Sequence, residues 1–349
     1  MKVLELLGKS GVHAALGAAL LFGAGTPLAK SLLTNVSPWL LAGLLYLGAG
    51  FGLTLYRRLA KAPKVQLPRG ERLWFAGAIL CGGVVGPLLL MLGLSGMPAS
   101  AASLLLNAEG MFTALLAWFA FKENFDHRIA FGMAAIAAGA VVLSWPGEIN
   151  PAGLWPTCAV LGACLSWGID NNLTRKVSLT DAAWIASVKG LVAGAVNLTL
   201  AFALGATIPR WPDIAGAMLV GFVSYGVSVA LFVIGLRHLG TARTGAYFSI
   251  APFFGALLAL AMGDAMTWQL LVAGILMAFG TWLHLTEHHA HEHTHVEFEH
   301  DHEHVHDAHH QHEHELQTEA DTTHRHRHRH SPQTHLHAHF PDAHHRHGH

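Results

Sequence analysis

The residues of this sequence that could do chemistry are charged side chains set within long apolar segments. Glu109 lies near the middle of the segment 98–123, and Lys189 lies well inside another. A charge at that depth in a bilayer costs at least about 2.5 kcal/mol, so it requires a partner, a proton or a water-filled cavity. We predict that Glu109 accepts a proton or cation and that Lys189 is its counter-ion or an anchor for an anionic substrate. A structural hydrogen bond for Glu109 and partial snorkelling for Lys189 are the alternatives.

A polar cluster in a later apolar segment is the second candidate. Asp170, Asn171 and Asn172 are consecutive, and Trp167 precedes them by one turn. Because Arg175 and the next lysine follow closely, the cluster is either an interfacial cap or part of a cytoplasmic gate.

Four further side chains could donate hydrogen bonds to a substrate from within apolar segments: Asn107, Tyr247, Ser249 and Asn197. Polar groups inside helical bundles also commonly bond to neighbouring helices. Pro252 is predicted to kink or unwind its helix, because proline lacks an N–H donor and clashes with the preceding turn. An interrupted helix exposes backbone groups that can bind a substrate.

The last 62 residues are rich in histidine. Four of the 28 histidines (His13, His127, His238 and His284) precede them. Neutral imidazole binds zinc, nickel, cobalt and copper, so the tail is expected to bind divalent metal without one defined site. With few apolar residues it is predicted to be disordered. Its alternating histidines are His300, His302, His304 and His306, and His324, His326, His328 and His330.

The composition indicates an integral membrane protein. Apolar residues make up 52% of the 349 positions and charged residues 12%, whereas soluble domains carry about 25% charged residues. About 20 apolar residues suffice to span a bilayer. Ten spans are predicted, at 11–29, 37–56, 72–94, 99–121, 128–146, 152–173, 182–204, 213–236, 243–263 and 267–285.

Basic residues are distributed unequally between the two sets of loops. Those on the side of the N-terminus hold nearly all of them, whereas the opposite side holds only Lys30 and Arg210. The positive-inside rule then places both termini in the cytoplasm. The predicted location is the plasma membrane, the inner membrane of a bacterium.

The chain contains a duplication. FTALLA at 112–117 aligns with FGALLA at 254–259, and LGAALLFGAGTPLAK at 16–30 aligns with LGACLSWGIDNNLTR at 161–175. Each copy holds five spans, and since five is odd, the second copy must enter the membrane in the opposite sense. Inverted repeats of this kind build transporters, with the substrate site near the midplane.

Several of these segments resemble the EamA-type family of the drug/metabolite transporter superfamily. They are SAASLL at 100–105, FTALLAWFAFKE at 112–123, WGIDNNLTRK at 167–176 and AYFSIAPFFGALLAL at 246–260. The resemblance implies an all-α membrane protein of ten transmembrane helices in two inverted five-helix repeats. Accordingly, the first repeat is placed at 1–147, the second at 148–286 and the cytoplasmic histidine-rich tail at 287–349.

These features predict a secondary transporter, an exporter of a small metabolite, amino acid or drug-like solute, coupled to an ion gradient. The alternatives are a divalent metal exporter and a membrane-anchored metal buffer or sensor that uses the tail. No nucleotide loop, nucleophile motif or soluble catalytic domain favours an enzyme. The predicted partners are the bilayer and a small-molecule substrate, with neither nucleic acid, an obligate protein partner nor a required cofactor.

Overall fold

The computed structural model describes residues 2–121, 127–145, 151–177, 181–239 and 241–285, together with four segments of the tail. The chain divides into two units, residues 1–287 and 288–349. Every regular element described before the tail is helical. In chain order the helices are α1 (Lys2–Leu32), α2 (Pro38–Leu59), α3 (Arg72–Ala78), α4 (Gly86–Ser95), α5 (Ala99–Leu105), α6 (Ala108–Phe121), α7 (His127–Ser144), α8 (Pro151–Thr174), α9 (Ala182–Ala203), α10 (Trp211–Gly221), α11 (Ser228–Leu239), α12 (Thr241–Phe248), α13 (Ala251–Ala261) and α14 (Trp268–Leu285).

The helices follow the predicted spans closely. In the described part of the chain, eight helical stretches are long and apolar enough to cross a membrane. They are Gly11–Leu32, Pro38–Leu59, Arg69–Ser95, Ala99–Phe119, His127–Ser144, Ala182–Ala203, Trp211–Leu236 and Thr244–Ala261. The other two predicted spans coincide with α8, of 24 residues, and α14, of 18 residues.

Four of the spans are not continuous α-helices. A π-helical segment, Ile79–Val85, joins α3 to α4, and a second, Phe222–Val227, joins α10 to α11. The span formed by α5 and α6 is interrupted at Leu106–Asn107, and that formed by α12 and α13 at Ser249–Ile250. Asn107 and Ser249 are 142 positions apart, which is the offset of the duplication in this region. The two interruptions are therefore features that the repeats share.

Pro252 lies next to the predicted interruption of its helix, on the helical side of it. The interruption comes just before α13, and Pro252 is the second residue of that helix. Proline is tolerated in the first turn, because the N–H that it lacks would have no partner there. The proline thus begins the second half of its span.

Helices α2 and α9 pack together through glycines. An added Cβ at Gly190 would lie 2.8 Å from the Cα of Gly50, and one at Gly194 would lie 2.7 Å from Leu47 Cγ. Small residues allow this close approach of two membrane helices. Lys189 directly precedes Gly190, so its backbone lies beside this contact.

The described parts of the tail are four strands, β1 (Ala290–His295), β2 (Phe298–His304), β3 (His324–His330) and β4 (Gln333–Ala338). β1 pairs antiparallel with β4 and β2 with β3, with His302 opposite His326. The predicted disorder of the tail stays a prediction. Alternating sequence such as HRHRHRH has the two-residue period of a strand.

Candidate functional site

A buried ion pair forms the centre of the candidate site. Lys189 Nζ of α9 lies 2.6 Å from Asp170 Oδ1 and 2.7 Å from Oδ2 of α8, and both side chains are 15% exposed or less. Thr174 Oγ1 donates a further hydrogen bond of 2.9 Å to Asp170 Oδ1. The predicted contact of Lys189 with Glu109 is therefore wrong. Asp170 takes the lysine because α8 and α9 both pack against the π-helical segment Ile79–Val85.

Glu109 has an uncharged partner. It is the second residue of α6, directly after the interruption of its span, and its Oε1 accepts a hydrogen bond of 3.0 Å from Asn171 Nδ2. The same amide group lies 3.2 Å from Thr113 Oγ1, which in turn donates to the Glu109 carbonyl. A carboxylate in the first turn of a helix interacts favourably with the helix dipole. The carboxylate is half-buried.

The predicted polar cluster contributes to this site, and its role as an interfacial cap stays a prediction. Asp170 and Asn172 are buried. Asn172 Nδ2 donates to the carbonyl of Thr113 at 3.1 Å and to that of Gly168 at 2.9 Å, which fastens α8 to α6. A role in gating stays a prediction.

The π-helical segment Ile79–Val85 supplies backbone acceptors. The carbonyl oxygen of Gly82 accepts from Tyr46 OH at 2.7 Å and from Trp167 Nε1 at 2.9 Å. The carbonyl oxygen of Gly83 accepts from Asn197 Nδ2 at 3.1 Å. π-helical turns inside α-helices frequently occur at functional sites. A Cβ at Gly82 would collide with the Asp170 carboxylate, so only glycine fits there.

Aromatic rings continue from Tyr46 into the second half of the chain. The centroids of Tyr46 and Tyr225 are 6.0 Å apart, and Phe22 meets Tyr225 edge-on at 5.6 Å. Phe22 and Phe248 are 5.2 Å apart, and Phe248 also meets Phe232 at 4.9 Å. These rings come from α1, α2, the second π-helical segment, α11 and α12, so they connect the two repeats.

Two of the other predicted site residues bond to groups outside the ion pair. Asn107 Nδ2 donates to the carbonyl of Leu104, and its Oδ1 accepts from Thr281 Oγ1 at 3.3 Å. Ser249 Oγ donates to the carbonyl of Ala246 within its own turn. Tyr247 is half-buried in the last turn of α12. Their roles toward a substrate stay predictions, as does that of Pro252.

Sequence reasoning missed Tyr46, Gly82, Gly83 and Thr113. The available signal was the Gly82–Gly83 pair in the middle of an apolar span, where adjacent glycines weaken a helix. Nothing in the sequence pattern connects Tyr46 to this pair of glycines.

One described cavity, of about 330 Å³, lies away from these residues. It is bounded by the link between α4 and α5, the end of α7, the start of α8 and the link between α13 and α14. Its lining includes Ser100, Ser144, Thr157 and Gln269 but no charged residue. None of the predicted site residues lines it.

No group of three histidine, cysteine, aspartate or glutamate side chains is placed to hold a metal ion within the described residues. The side chains of the eight predicted tail histidines lie outside that part of the structure. Metal binding by the tail stays a prediction.

Both halves of the helical part of the chain match a known protein family. The EamA-like transporter family matches residues 9–145 and 154–286. The chain belongs to this family. It is a multi-pass integral membrane protein of a transporter family, with the bilayer and a small-molecule substrate as its partners.

A curated relative supports this assignment. An uncharacterized transporter of Methanothermobacter thermautotrophicus is 27% identical over 285 residues, covering 76% of this chain and 83% of the relative. A solved crystal structure of a protein superposes with a TM-score of 0.61, covering 79% of this chain and 95% of that one. Their sequence identity is 18%, so the likeness concerns the fold alone.

Proposed function

We propose that this protein is a proton-coupled secondary transporter that exports a small organic solute by alternating access between two inverted five-helix repeats. Family membership supports transport across a membrane. The observation that supports proton coupling is the environment of Glu109. Its carboxylate lies in the middle of a span and accepts a hydrogen bond from the Asn171 amide, while Lys189 is paired with Asp170. A charged carboxylate at this depth is costly, so the Glu109 carboxylate favours a bound proton or cation.

The interrupted helices support a substrate site at the same level. α6 and α13 both begin in the middle of a span, at repeat-equivalent positions. Discontinuous helices form the midplane sites of transporters with inverted repeats, since their ends leave backbone groups unpaired. α1 packs against α12 and α13 of the second repeat as well as α4 and α5 of the first, so it connects both halves.

The orientation proposed is with both termini in the cytoplasm of a bacterial inner membrane, from the basic loops. The cavity near the link between α4 and α5 then opens to the outer side. Lys30 Nζ bonds to the carbonyls of Leu94 and Ser95 at that link, and Asp264 accepts from the backbone N–H of Ser100. These bonds tie both repeats to the mouth of the cavity.

Counterflow in proteoliposomes tests the function. The full-length protein is reconstituted and screened against amino acids, nucleobases and divalent cations, with and without a pH gradient. We expect solute flux that the pH gradient drives and that Glu109→Gln uncouples from it. Glu71→Gln, a change at a partly exposed carboxylate before α3, is the matched control and should keep coupling. Coupled flux that survives Glu109→Gln would contradict the role of Glu109.

A further inference from the structure

Basic residues are concentrated in the loop that joins α2 to α3, on the side that the proposed orientation places in the cytoplasm. The other connections between spans on that side, at 121–128, 174–182 and 236–243, hold two basic residues each. Residues 57–72 hold six, against one acidic residue, Glu71, which leaves a formal charge of +5. The six are Arg57, Arg58, Lys61, Lys64, Arg69 and Arg72.

Five of these six charges have no counter-ion in the part of the chain that the structure describes. Arg57 is the exception, since its guanidinium pairs with Asp181 at the start of α9 and donates to the carbonyl of Pro63 at 2.9 Å. The other five side chains are exposed and make neither an ion pair nor a hydrogen bond with any described residue. We call them the basic surface: Arg58, Lys61, Lys64, Arg69 and Arg72. Because like charges repel, an anion from outside the chain would stabilise this arrangement.

The loop that carries the basic surface is held in place by the helical part of the chain. Leu67 packs with Phe75 of α3 and Ile185 of α9, and the pairing of Arg57 ties the other end of the loop to the start of α9. Lys61, two residues after α2, has a φ of 49°, a left-handed conformation that favours glycine. A lysine therefore occupies a position where glycine would cost less conformational energy.

Large apolar side chains border the basic surface at the ends of its two helices. Leu59, the last residue of α2, is 75% exposed, and Leu73, at the start of α3, is 85% exposed. Trp74 beside it is also exposed, and tryptophan favours the membrane–water interface. Binding to a lipid surface combines apolar contact with attraction to anionic headgroups. A phospholipid offers both, whereas a soluble phosphate compound offers only the charge.

We propose that the basic surface is a docking site for anionic phospholipids of the cytoplasmic leaflet, whose acyl chains lie along Leu59 and Leu73. Four to eight basic residues directly beside a transmembrane helix are typical of sites for anionic lipid. This inference rests on the proposed function only for the orientation, which names the leaflet.

Native mass spectrometry of the full-length protein in a neutral detergent provides the first test. Phosphatidylglycerol and phosphatidylcholine with the same acyl chains are titrated separately, so that the headgroup alone differs. We expect phosphatidylglycerol to bind at least about tenfold more tightly, since each basic residue near an anionic headgroup contributes about fivefold. Raising ammonium acetate from about 0.1 M to about 1 M should reduce that preference several-fold, because salt screens exposed charges. Equal affinity for the two lipids at low salt would overturn the proposal.

A set of substitutions tests whether the preference comes from the basic surface. Arg58→Gln, Lys61→Gln, Lys64→Gln and Arg69→Gln combined should bring phosphatidylglycerol affinity down to that for phosphatidylcholine, and leave the latter unchanged. The matched control keeps every charge, with Arg58→Lys, Lys61→Arg, Lys64→Arg and Arg69→Lys, and should retain the preference. All four side chains are exposed, so both variants should unfold near the temperature of the unmodified protein. An undiminished preference in the glutamine variant would overturn the assignment to this surface.

The headgroup without its acyl chains distinguishes a lipid from a soluble phosphate ester. Glycerophosphoglycerol carries the charge of phosphatidylglycerol and should bind at least about a hundredfold more weakly, because it makes no apolar contact. Equal binding of the two would overturn the lipid as occupant. None of these measurements requires transport, so a loss of proton-coupled flux would contradict the proposed function and not the lipid site. Absence of the lipid preference would contradict only the latter.

Discussion

At the scale of single residues, the carboxylates of Asp170 and Glu109 differ in their bonding partners. Asp170 is bonded to Lys189 and Thr174, whereas Glu109 is bonded to an amide. The first is paired with a lysine and the second with an uncharged side chain. Under the proposed function, this difference predicts a structural part for Asp170 and a proton-exchanging part for Glu109.

The ion pair leads to a prediction about stability. Asp170→Asn leaves Lys189 buried and uncompensated, so the free energy of unfolding should fall by about 3 to 5 kcal/mol. The double variant Asp170→Asn with Lys189→Met should recover most of that loss, because both charges are gone. Thermal unfolding in detergent measures both.

Glu71→Gln is the control, since Glu71 is a partly exposed carboxylate before α3. It should cost about 0.5 kcal/mol or less. If the double variant were no more stable than Asp170→Asn, the pair would not be the source of the loss.

Gly82 allows a second prediction at this scale. Gly82→Ala should displace the Asp170 carboxylate, because the added methyl group occupies its place. We expect reduced flux together with a lower unfolding temperature. Gly216→Ala in α10 meets only an ordinary contact, 3.5 Å from Leu32 Cδ2, and should be neutral or slightly stabilising, since alanine favours helix. Equal behaviour of the two variants would show that the Gly82 contact is unimportant.

At the scale of helices, the positions of the candidate-site side chains depend on interruptions of regular helix. The interruption at Leu106–Asn107 places Glu109 in a first helical turn, and the π-helical segment turns the Gly82 and Gly83 carbonyls toward Tyr46, Trp167 and Asn197. A regular α-helix would have used those carbonyls within its own ladder. The departures from regular helix therefore create the site.

The ion pair between the end of α2 and the start of α9 should make the stability of the fold depend on pH. Asp181 precedes α9, accepts a hydrogen bond from the backbone N–H of Trp184, and lies 2.5 Å from the guanidinium of Arg57. Partial burial opposes its ionisation, but the hydrogen bond and charge of Arg57 and the N–H groups of Trp184 and Ala183 outweigh burial. The pKa of Asp181 is therefore below its usual value of 3.8.

Because this pKa is lowered on folding, the resulting stabilisation is present above about pH 4 and is lost as the pH falls through the folded-state pKa. We expect the unfolding temperature of Asp181→Asn to lie below that of the unmodified protein at pH 7, and the two to converge on acidification. A difference that stayed constant down to pH 3 would contradict the ionic origin.

At the scale of the whole molecule, apolar side chains face outward and tryptophans mark the helix ends. Leu73, Phe119, Phe131 and Leu257 are all more than 60% exposed. Exposed tryptophans lie at the end of α7 and at the starts of α8, α10 and α14: Trp145, Trp155, Trp211 and Trp268. In the proposed topology these four ends share the outer face, where amphipathic rings anchor a protein at the membrane–water interface.

The division of the chain predicts that the tail is separable from transport. Residues 1–287 form one unit, and the candidate site lies wholly within it. Deleting 288–349 should therefore change proton-coupled solute flux by less than about twofold. Reconstituted flux measured per folded protein checks this. A tenfold loss of flux, or a tail-dependent flux of zinc, would instead favour the metal alternative.

The sequence determined the membrane class, the helix positions and the duplication, because apolar length, loop charge and internal similarity are local properties that need no knowledge of packing. It also singled out Glu109, Lys189 and Asp170, since a charge in an apolar run is conspicuous wherever the chain goes. Only the tertiary structure decided which of them meet. Lys189 binds Asp170 because α8 and α9 converge on the Gly82–Gly83 segment, and no pattern along the chain records that convergence.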